Sequence, residues 1–228
     1  MLSIIPTPIG NLKDITVRAL EVLQTVDLIL CEDTRQSQKL LNHYNIQKPL
    51  LSFHEYTSDA KREAMVQRLR CGENFALISD GGMPSISDPG FELVRAAIQN
   101  QIPMEVLPGP CALITALVAS GLAVDSFSFF GFMSQKSASR KRYLETLESR
   151  EETLIFYESP YRVGKVLGEM LEVLGDREAC VARELTKKFE EVSRGKLSEL
   201  VKKYADKNVL GEIVILVSGK NRKELYAL

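Results

Sequence analysis

Short apolar runs alternate with amphipathic stretches along the first half of the chain. The apolar runs are bounded by turn-forming residues, which predicts five strands at residues 2–5, 27–31, 49–53, 75–79 and 104–107. The stretches between them have helical periodicity and predict helices at residues 16–25, 35–44, 58–70 and 91–100. This alternation is typical of a mainly parallel sheet with helices on both faces.

The same alternation restarts after a predicted helix at residues 112–120, which ends at Gly121. Four further strands are predicted at residues 127–130, 153–157, 179–183 and 212–217. Helices are predicted at residues 140–149, 161–174 and 197–204. The predicted fold class is therefore α/β, with two α/β domains at residues 1–121 and 122–228.

Composition narrows the class of protein. The net charge of −1 argues against a generally basic nucleic-acid binder but permits a local basic patch. The four cysteines are dispersed and form no CxxC pair, which favours reduced thiols and gives no zinc signature. With only two histidines, we expect no metal site. The longest uncharged apolar stretch, residues 112–124, is shorter than the roughly 20 residues that a membrane helix needs. The first residues lack the pattern of a signal peptide, so we expect a cytoplasmic protein without membrane contact.

Unusual residues follow several of the predicted strands. The fourth strand leads into SDGGMPSISDPG at residues 79–90. Gly81 and Gly82 lack a Cβ and allow a close backbone approach, while Asp80 and Asp88 offer hydrogen-bond acceptors. Taken alone, this segment is equally well explained as a long connector rich in turn formers.

Three other predicted strands of the first half also end in such segments. They are PTPIGNL at residues 6–12, EDTR at residues 32–35 and PGPCA at residues 108–112. Because ligands of open α/β sheets bind outside the carboxyl ends of the strands, four such loops predict a ligand site at one edge. The sequence contains no GxGxxG, GxxxxGK[ST] or GxSxG, which disfavours dinucleotide, P-loop and serine hydrolase chemistry.

Together with FYESP at residues 156–160 and RELTK at residues 183–187, these motifs carry a family resemblance. In order and spacing they resemble the tetrapyrrole methylase superfamily of class III methyltransferases. Within it, they are most similar to the group that methylates small-subunit ribosomal RNA. The resemblance implies S-adenosylmethionine as donor, in a cleft between two α/β domains. It also implies 2′-O-methylation of a cytidine in the decoding region of 16S rRNA in the 30S subunit, and a homodimer.

The resemblance also implies the site residues. Carried over position by position, the donor lies against Asp80, Gly81, Gly82, Met83 and Ile86, and its pocket is completed by Cys111, Ala112, Tyr157 and Glu158. Transfer to a hydroxyl requires removal of its proton by a general base. The candidate bases are Glu184, Lys187 as a neutral amine, and Asp33. The sequence does not choose among them.

Each assignment has a structural alternative. Asp80 fits the start of an Asp-Gly turn, residues 32–35 a solvated helix start, and Glu184 with Lys187 a surface ion-pair cluster. The basic residues Lys136, Arg140, Lys141 and Arg142 fit either a solvated helix face or an RNA phosphate contact. His54 fits a structural role better than that of a base. Two other functions also fit the motifs: a tetrapyrrole C-methyltransferase, and an rRNA-binding paralogue without catalysis.

Overall fold

The structure is a computed structural model that describes residues 1–54, 57–205 and 209–220. Its contacts divide into two units, Met1–Cys111 and Ala112–Leu228. The helix that follows Cys111 therefore belongs to the second unit, whereas the sequence assigned it to the first domain. The domain limits at residues 121 and 122 stay a prediction, and residues 221–228 of the second domain lie outside the described part.

The first unit contains the parallel sheet that the alternating pattern predicts. Its strands are β1 (Leu2–Ile5), β2 (Leu28–Cys31), β3 (Leu50–Ser52), β4 (Phe75–Ile78) and β5 (Met104–Val106). They lie in the order β3-β2-β4-β1-β5, and each neighbouring pair is parallel. The strands β1, β2 and β4 are buried along their whole length, as expected for apolar runs covered on both faces.

Helices cover both faces of this sheet. They are α1 (Val17–Thr25), α2 (Thr34–His43), α3 (Asp59–Arg70) and α4 (Phe91–Gln99). Leu23 of α1 and Leu41 of α2 belong to one buried cluster, whereas Met65 of α3 and Leu93 of α4 belong to another. The helices α1 and α2 connect strands toward the β3 edge, and α3 and α4 connect strands toward the β5 edge. Because crossovers are right-handed, opposite directions place the two pairs on opposite faces.

The second unit contains a mixed sheet. Its strands are β6 (Phe127–Phe132), β7 (Thr153–Glu158), β8 (Glu178–Arg183), β9 (Glu191–Lys196) and β10 (Ile213–Val217). They lie in the order β6-β7-β10-β8-β9; β6 and β7 are parallel, and the other neighbouring pairs are antiparallel. Its helices are α5 (Ala112–Ser120), α6 (Ser137–Leu147), α7 (Val163–Leu174) and α8 (Leu197–Tyr204).

The strand β9 is absent from the sequence prediction, and its pairing explains why this sheet is not mainly parallel. Its sequence, EVSRGK, has a single strong β-former in Val192, so it lacks the alternating apolar pattern of a strand. It pairs with β8 over six residues through a short connection, which makes the two strands antiparallel. The β8–β9 pairing therefore comes from partner contacts rather than from local propensity.

A buried ion pair lies within the core of the second unit. The side chains of Arg140 and Glu169 are 1% and 7% exposed, and an Arg140 Nη2–Glu169 Oε1 hydrogen bond measures 2.9 Å. Arg140 also donates to the carbonyl of Ser134 at 2.7 Å. Both explanations offered for Arg140, a solvated helix face and an RNA phosphate contact, are therefore wrong. Arg140 shares a helix face with Leu144 and Leu147, and that spacing is the sequence signal for burial.

Substitution of Arg140 by methionine is expected to lower the free energy of unfolding by about 3 kcal/mol, because it leaves the Glu169 carboxylate buried without its partner. Urea denaturation measures the loss. The double variant Arg140→Met/Glu169→Leu is the control, and it should recover most of the stability because it removes both charges. Equal stability of the single and double variants would contradict the pairing.

The pH dependence of this effect has a defined sign. Burial alone would raise the pKa of Glu169, but hydrogen bonds from Arg140 and Ser137 outweigh it and hold the pKa below its ordinary value. A lowered pKa contributes stability that is present above the ordinary pKa and is lost as the pH falls through the folded value. The difference between wild type and Arg140→Met should therefore shrink in acid.

Candidate functional site

Two strand ends bring Asp33 and Asp80 together at the carboxyl edge of the first sheet. The strands β2 and β4 are neighbours, but the chain leaves β2 toward β3 and leaves β4 toward β5. A pair of neighbouring strands whose connections diverge in this way opens a crevice that is the usual ligand site of an open α/β sheet. The backbone N–H of Asp33 donates to Asp80 Oδ1 at 3.2 Å across this point.

The Asp80 carboxylate is exposed to solvent, yet its neighbours perturb it. Partial desolvation raises its pKa above the ordinary value, and the negative charge of Asp33 adds to this. The Asp33 N–H and the nearby His54 act in the opposite direction and do not cancel the shift. A carboxylate in this environment is stabilised by a ligand that brings positive charge or hydroxyl donors. Asp80 is therefore suited to bind such a ligand.

Asp33 has a structural role that weakens it as a base. Its Oδ1 accepts from the backbone N–H of Arg35 at 2.8 Å and caps α2, and its Oδ2 accepts from the Arg35 guanidinium at 2.7 Å. These bonds lower the pKa of Asp33 to about 2. The helix start given above as the structural alternative for residues 32–35 therefore applies, and Asp33 and Arg35 also form an ion pair. A carboxylate with so low a pKa accepts a proton poorly at neutral pH.

The loop after β4 is held to the loop after β1. Thr7 and Gly82 exchange two backbone hydrogen bonds, of 3.0 and 2.9 Å. The buried Thr7 hydroxyl donates to the carbonyl of Ser79 at 2.9 Å, and the Ser79 hydroxyl donates to the carbonyl of Gly82 at 3.0 Å. These bonds fix the start of the loop, so Asp80 lies on a rigid support.

Gly81 and Gly82 lie where the loop after β4 meets the loop after β1. A Cβ on Gly81 would lie 3.4 Å from the carbonyl oxygen of Pro8. Gly82 has a φ of +94°, and a Cβ there would lie 3.4 Å from the Ile9 side chain. The sequence predicted that these glycines make room for a ligand. The structure shows that the backbone conformation of Gly82 favours glycine, whereas a Cβ on Gly81 would make only an ordinary contact with Pro8.

The other predicted donor contacts have distinct surroundings. Met83 is half-buried and packs against the core cluster beneath α3 and α4. Ile86 is exposed, and its N–H donates to the Met83 carbonyl at 3.3 Å. Cys111 ends the first unit and Ala112 begins the second, both half-buried. Contact of these four residues with a donor stays a prediction.

Gly90, at the end of the same loop, is expected to tolerate no side chain. Its φ is +138°, and a Cβ would lie 2.6 Å from Ser85 Oγ and 2.7 Å from Leu77 Cδ2. Gly90→Ala should cost about 1–3 kcal/mol of unfolding free energy, because strain and overpacking add. Gly72→Ala is the matched control, since φ there is +96° and a Cβ meets open space. Equal losses in urea denaturation would show that the packing at Gly90 is unimportant.

Glu184 and Lys187 lie together after β8, in the second unit. Lys187 Nζ donates to Glu184 Oε1 and to Glu212 Oε2, each at 2.8 Å. Glu184 Oε1 also accepts from the backbone N–H of Glu212 at 3.1 Å. Glu184 has a φ of +51°, and its carboxylate occupies the space that a Cβ on Gly211 would fill. Several hydrogen bonds and close packing against Gly211 therefore fix the positions of Glu184 and Lys187, unlike those of an isolated surface ion pair.

The electrostatics of this cluster separate its two candidate bases. Burial alone would lower the pKa of Lys187, but hydrogen bonds to Glu184 and Glu212 outweigh it and raise the pKa. Lys187 is thus protonated at neutral pH and has no lone pair to accept a proton. Burial alone would raise the pKa of Glu184, but the bonds from Lys187 and Glu212 lower it. Glu184 is therefore an ionised carboxylate and remains able to accept.

Tyr157 and Glu158 end β7. The Glu158 side chain is fully buried, and its Oε1 accepts from Arg162 Nε at 2.8 Å, while its Oε2 has no hydrogen-bond partner among the described residues. The Tyr157 ring packs edge-on against Phe129, with 4.8 Å between ring centroids. The role of Arg162 was missed in the sequence, although its spacing of four residues from Glu158 is a signal for pairing. Donor contact by Tyr157 and Glu158 stays a prediction.

Two features are absent from the described residues. No helix among them is both long and apolar enough to cross a membrane. No group of three or more His, Cys, Asp or Glu side chains in residues 1–54, 57–205 and 209–220 is placed to hold a metal ion.

Comparison with known proteins adds independent findings. The family described as Tetrapyrrole (Corrin/Porphyrin) Methylases matches residues 1–201. The chain is 44% identical over 225 residues to the ribosomal RNA small subunit methyltransferase I of Bacillus subtilis (strain 168), covering 99% of this chain and 77% of that one. It is 50% identical over 222 residues to the protein of the same name from Vibrio cholerae serotype O1 (strain ATCC 39315 / El Tor Inaba N16961), covering 96% and 77%.

Solved structures share the fold at low sequence identity. A cobalamin biosynthetic enzyme, cobalt precorrin-4 methyltransferase, superposes with a TM-score of 0.70 at 20% identity, covering 95% of this chain and 94% of that one. A diphthine synthase superposes with a TM-score of 0.72 at 14% identity, covering 97% and 91%. At these identities the likeness establishes the fold alone, and it confirms the predicted class of two α/β domains.

Proposed function

Since this chain belongs to the tetrapyrrole (corrin/porphyrin) methylase family, we propose that it transfers a methyl group from S-adenosylmethionine to ribosomal RNA of the small subunit. The observation that carries this proposal is the 44–50% identity, over nearly the whole chain, to proteins named ribosomal RNA small subunit methyltransferase I. At this identity, we expect this chain and these relatives to act on the same class of substrate.

The finer proposal specifies the reaction. We propose that the acceptor is the 2′-hydroxyl of a cytidine in the decoding region of 16S rRNA, within the 30S particle, and that the active protein is a cytoplasmic homodimer. Support comes from the motifs at residues 32–35 and 183–187, which resemble the branch of the superfamily that acts on RNA.

The residues at the carboxyl edge of the first sheet fit the proposed donor. S-adenosylmethionine has ribose hydroxyls and positive charge, and when bound it supplies an electrophilic methyl group on its sulfonium. Asp80 matches those groups, because its desolvated and exposed carboxylate is stabilised by positive charge and by hydroxyl donors. The bonds from Thr7 and Ser79 hold Asp80 in place without the donor, which lowers the entropic cost of binding.

Among the candidate bases we favour Glu184. Lys187 is protonated, and both carboxylate oxygens of Asp33 already accept hydrogen bonds from Arg35. The bonds that Glu184 accepts from Lys187 and from the Glu212 N–H both use its Oε1. Lys187 is then a positioning residue, because it holds the Glu184 carboxylate by a 2.8 Å hydrogen bond. Glu184 would accept the proton of the attacking hydroxyl as the oxygen–methyl bond forms and the bond from the methyl group to the donor sulfur breaks, which leaves S-adenosylhomocysteine.

Transfer of labelled methyl groups tests the proposed function. Purified protein is incubated with tritiated S-adenosylmethionine in three parallel reactions. The acceptors are small ribosomal subunits from cells that lack this protein, large ribosomal subunits, and precorrin substrates. We expect label only in the RNA of small subunits. After alkaline hydrolysis the label should remain in a dinucleotide, because a 2′-O-methyl group prevents cleavage of the adjacent phosphodiester bond. Label in the tetrapyrrole alone would assign the other activity. Binding of small subunits without binding of the donor would assign a non-catalytic role.

A further inference from the structure

Two aromatic side chains are exposed at one end of the second sheet. Phe132, the last residue of β6, is 60% exposed, and Tyr161, three residues beyond β7, is 85% exposed. Because β6 and β7 are parallel neighbours, their carboxyl ends lie at the same edge of the sheet. Both rings are therefore accessible to a partner at this edge.

The backbone of β6 is bent to place Phe132 at this position. The pairing of β6 with β7 shifts between Phe129 and Phe132, which inserts one extra residue into β6. Gly131 lies at the shift with a φ of +61°, the left-handed conformation that glycine adopts without a steric penalty. The bulge puts Phe132 opposite Tyr157, with ring centroids 5.6 Å apart. Bulges that redirect a side chain in this way are common next to functional sites.

The charges around these rings select the class of partner. The segments at residues 131–142 and 159–165 contain Lys and Arg but no Asp or Glu. Lys136 and Lys165 are exposed, whereas Arg140 is buried and paired with Glu169. The one carboxylate that ends β7, Glu158, is buried and paired with Arg162. Lys165 also interacts with the Glu169 carboxylate, which is itself buried and paired with Arg140. Exposed rings together with exposed basic residues are the combination that binds single-stranded nucleic acid, through base stacking and phosphate contact.

We propose that Phe132 and Tyr161 form a stacking surface for unpaired bases of the RNA substrate, with Lys136 and Lys165 contacting the flanking phosphates. The proposal rests on the proposed function, because it describes how that substrate is held. Sequence-specific recognition of RNA usually targets unpaired nucleotides, whose bases stack on aromatic side chains of the protein.

Fluorescence anisotropy with a short labelled oligocytidylate tests this surface directly. Phe132→Ala and Tyr161→Ala should each weaken binding about 5- to 100-fold, the range for loss of one base–aromatic stack. Phe127→Ala is the matched control, because Phe127 is 40% exposed at the opposite end of the same strand, and its affinity should equal wild type. Lys136→Gln should reduce the slope of log affinity against log salt by about 0.7.

Three results would overturn the proposal. The first is equal binding of the oligonucleotide by wild type, Phe132→Ala and Tyr161→Ala. The second is loss of S-adenosylmethionine binding in Phe132→Ala, which would place the ring in the donor site. The third is a change in oligomeric mass in Phe132→Ala, which would assign the surface to a second copy of the chain. Wild-type protein that methylates no RNA contradicts the proposed function instead, and the oligonucleotide comparison separates that failure from this one.

Discussion

Asp80→Ala is expected to weaken binding of S-adenosylmethionine by at least about 100-fold. The carboxylate lies at the diverging strand ends of β2 and β4, on a loop fixed by Thr7 and Ser79. Each hydrogen bond to a charged group is worth about 1.5–3 kcal/mol, so loss of two of them exceeds this factor. Isothermal titration calorimetry with the donor measures the change.

Two further variants separate the causes. Asp80→Asn keeps the Oδ1 that accepts the Asp33 N–H but removes the charge, so weak binding by this variant would show that the charge is what matters. Asp59→Ala removes an exposed carboxylate at the start of α3 and should bind the donor like wild type. Unchanged affinity in Asp80→Ala would remove Asp80 from the donor site.

Glu184→Gln is expected to lower kcat by about 10²–10⁴-fold, the usual contribution of a general base, and to leave donor affinity unchanged. Single-turnover transfer to small subunits measures the rate. The matched control is Glu178→Gln, at the other end of β8, which should have wild-type kcat. Wild-type kcat in Glu184→Gln would exclude Glu184 as the base.

The pH profile distinguishes Glu184 from Lys187. The pKa of Glu184 is lowered, so its carboxylate stays ionised as the pH falls from 8 to 6. If Glu184 is the base, its titration should therefore not change kcat over that range. The pKa of Lys187 is raised, so a reaction that used its neutral amine would accelerate as the pH rises toward that raised value. A kcat that climbs steadily in alkali would therefore favour Lys187.

The strands and helices of the first unit were largely predictable because each has a clear local sequence pattern. Uninterrupted apolar strands and amphipathic helices specify a parallel sheet, and the direction of the crossovers then fixes which strand ends diverge. The neighbouring positions of Asp33 and Asp80 follow from that order, although they are 47 residues apart in the chain. The assignment of Asp80 to the donor site came from its loop and from the family resemblance, and it stays a prediction.

Elements that depend on partners were harder to predict. The edge strand β9 has few β-formers and is held by β8, so its sequence did not reveal it. Arg140 was grouped with neighbouring basic residues because a charge usually lies in solvent, yet its bonds to Glu169 and Ser134 bury it. The ion pair of Lys187 with Glu212 joins residues 25 positions apart and, with Glu184, raises the pKa of Lys187. No local pattern encodes such a pairing.

Mass mapping of 16S rRNA from cells with and without this gene tests the central claim most directly. If the chain methylates a cytidine of the small subunit, one fragment from the decoding region should be lighter by one methyl group, about 14 Da, in the cells that lack it. Expression of wild-type protein should restore the mass, and expression of the Asp80→Ala variant should not. Identical 16S rRNA maps with and without the gene would contradict the account.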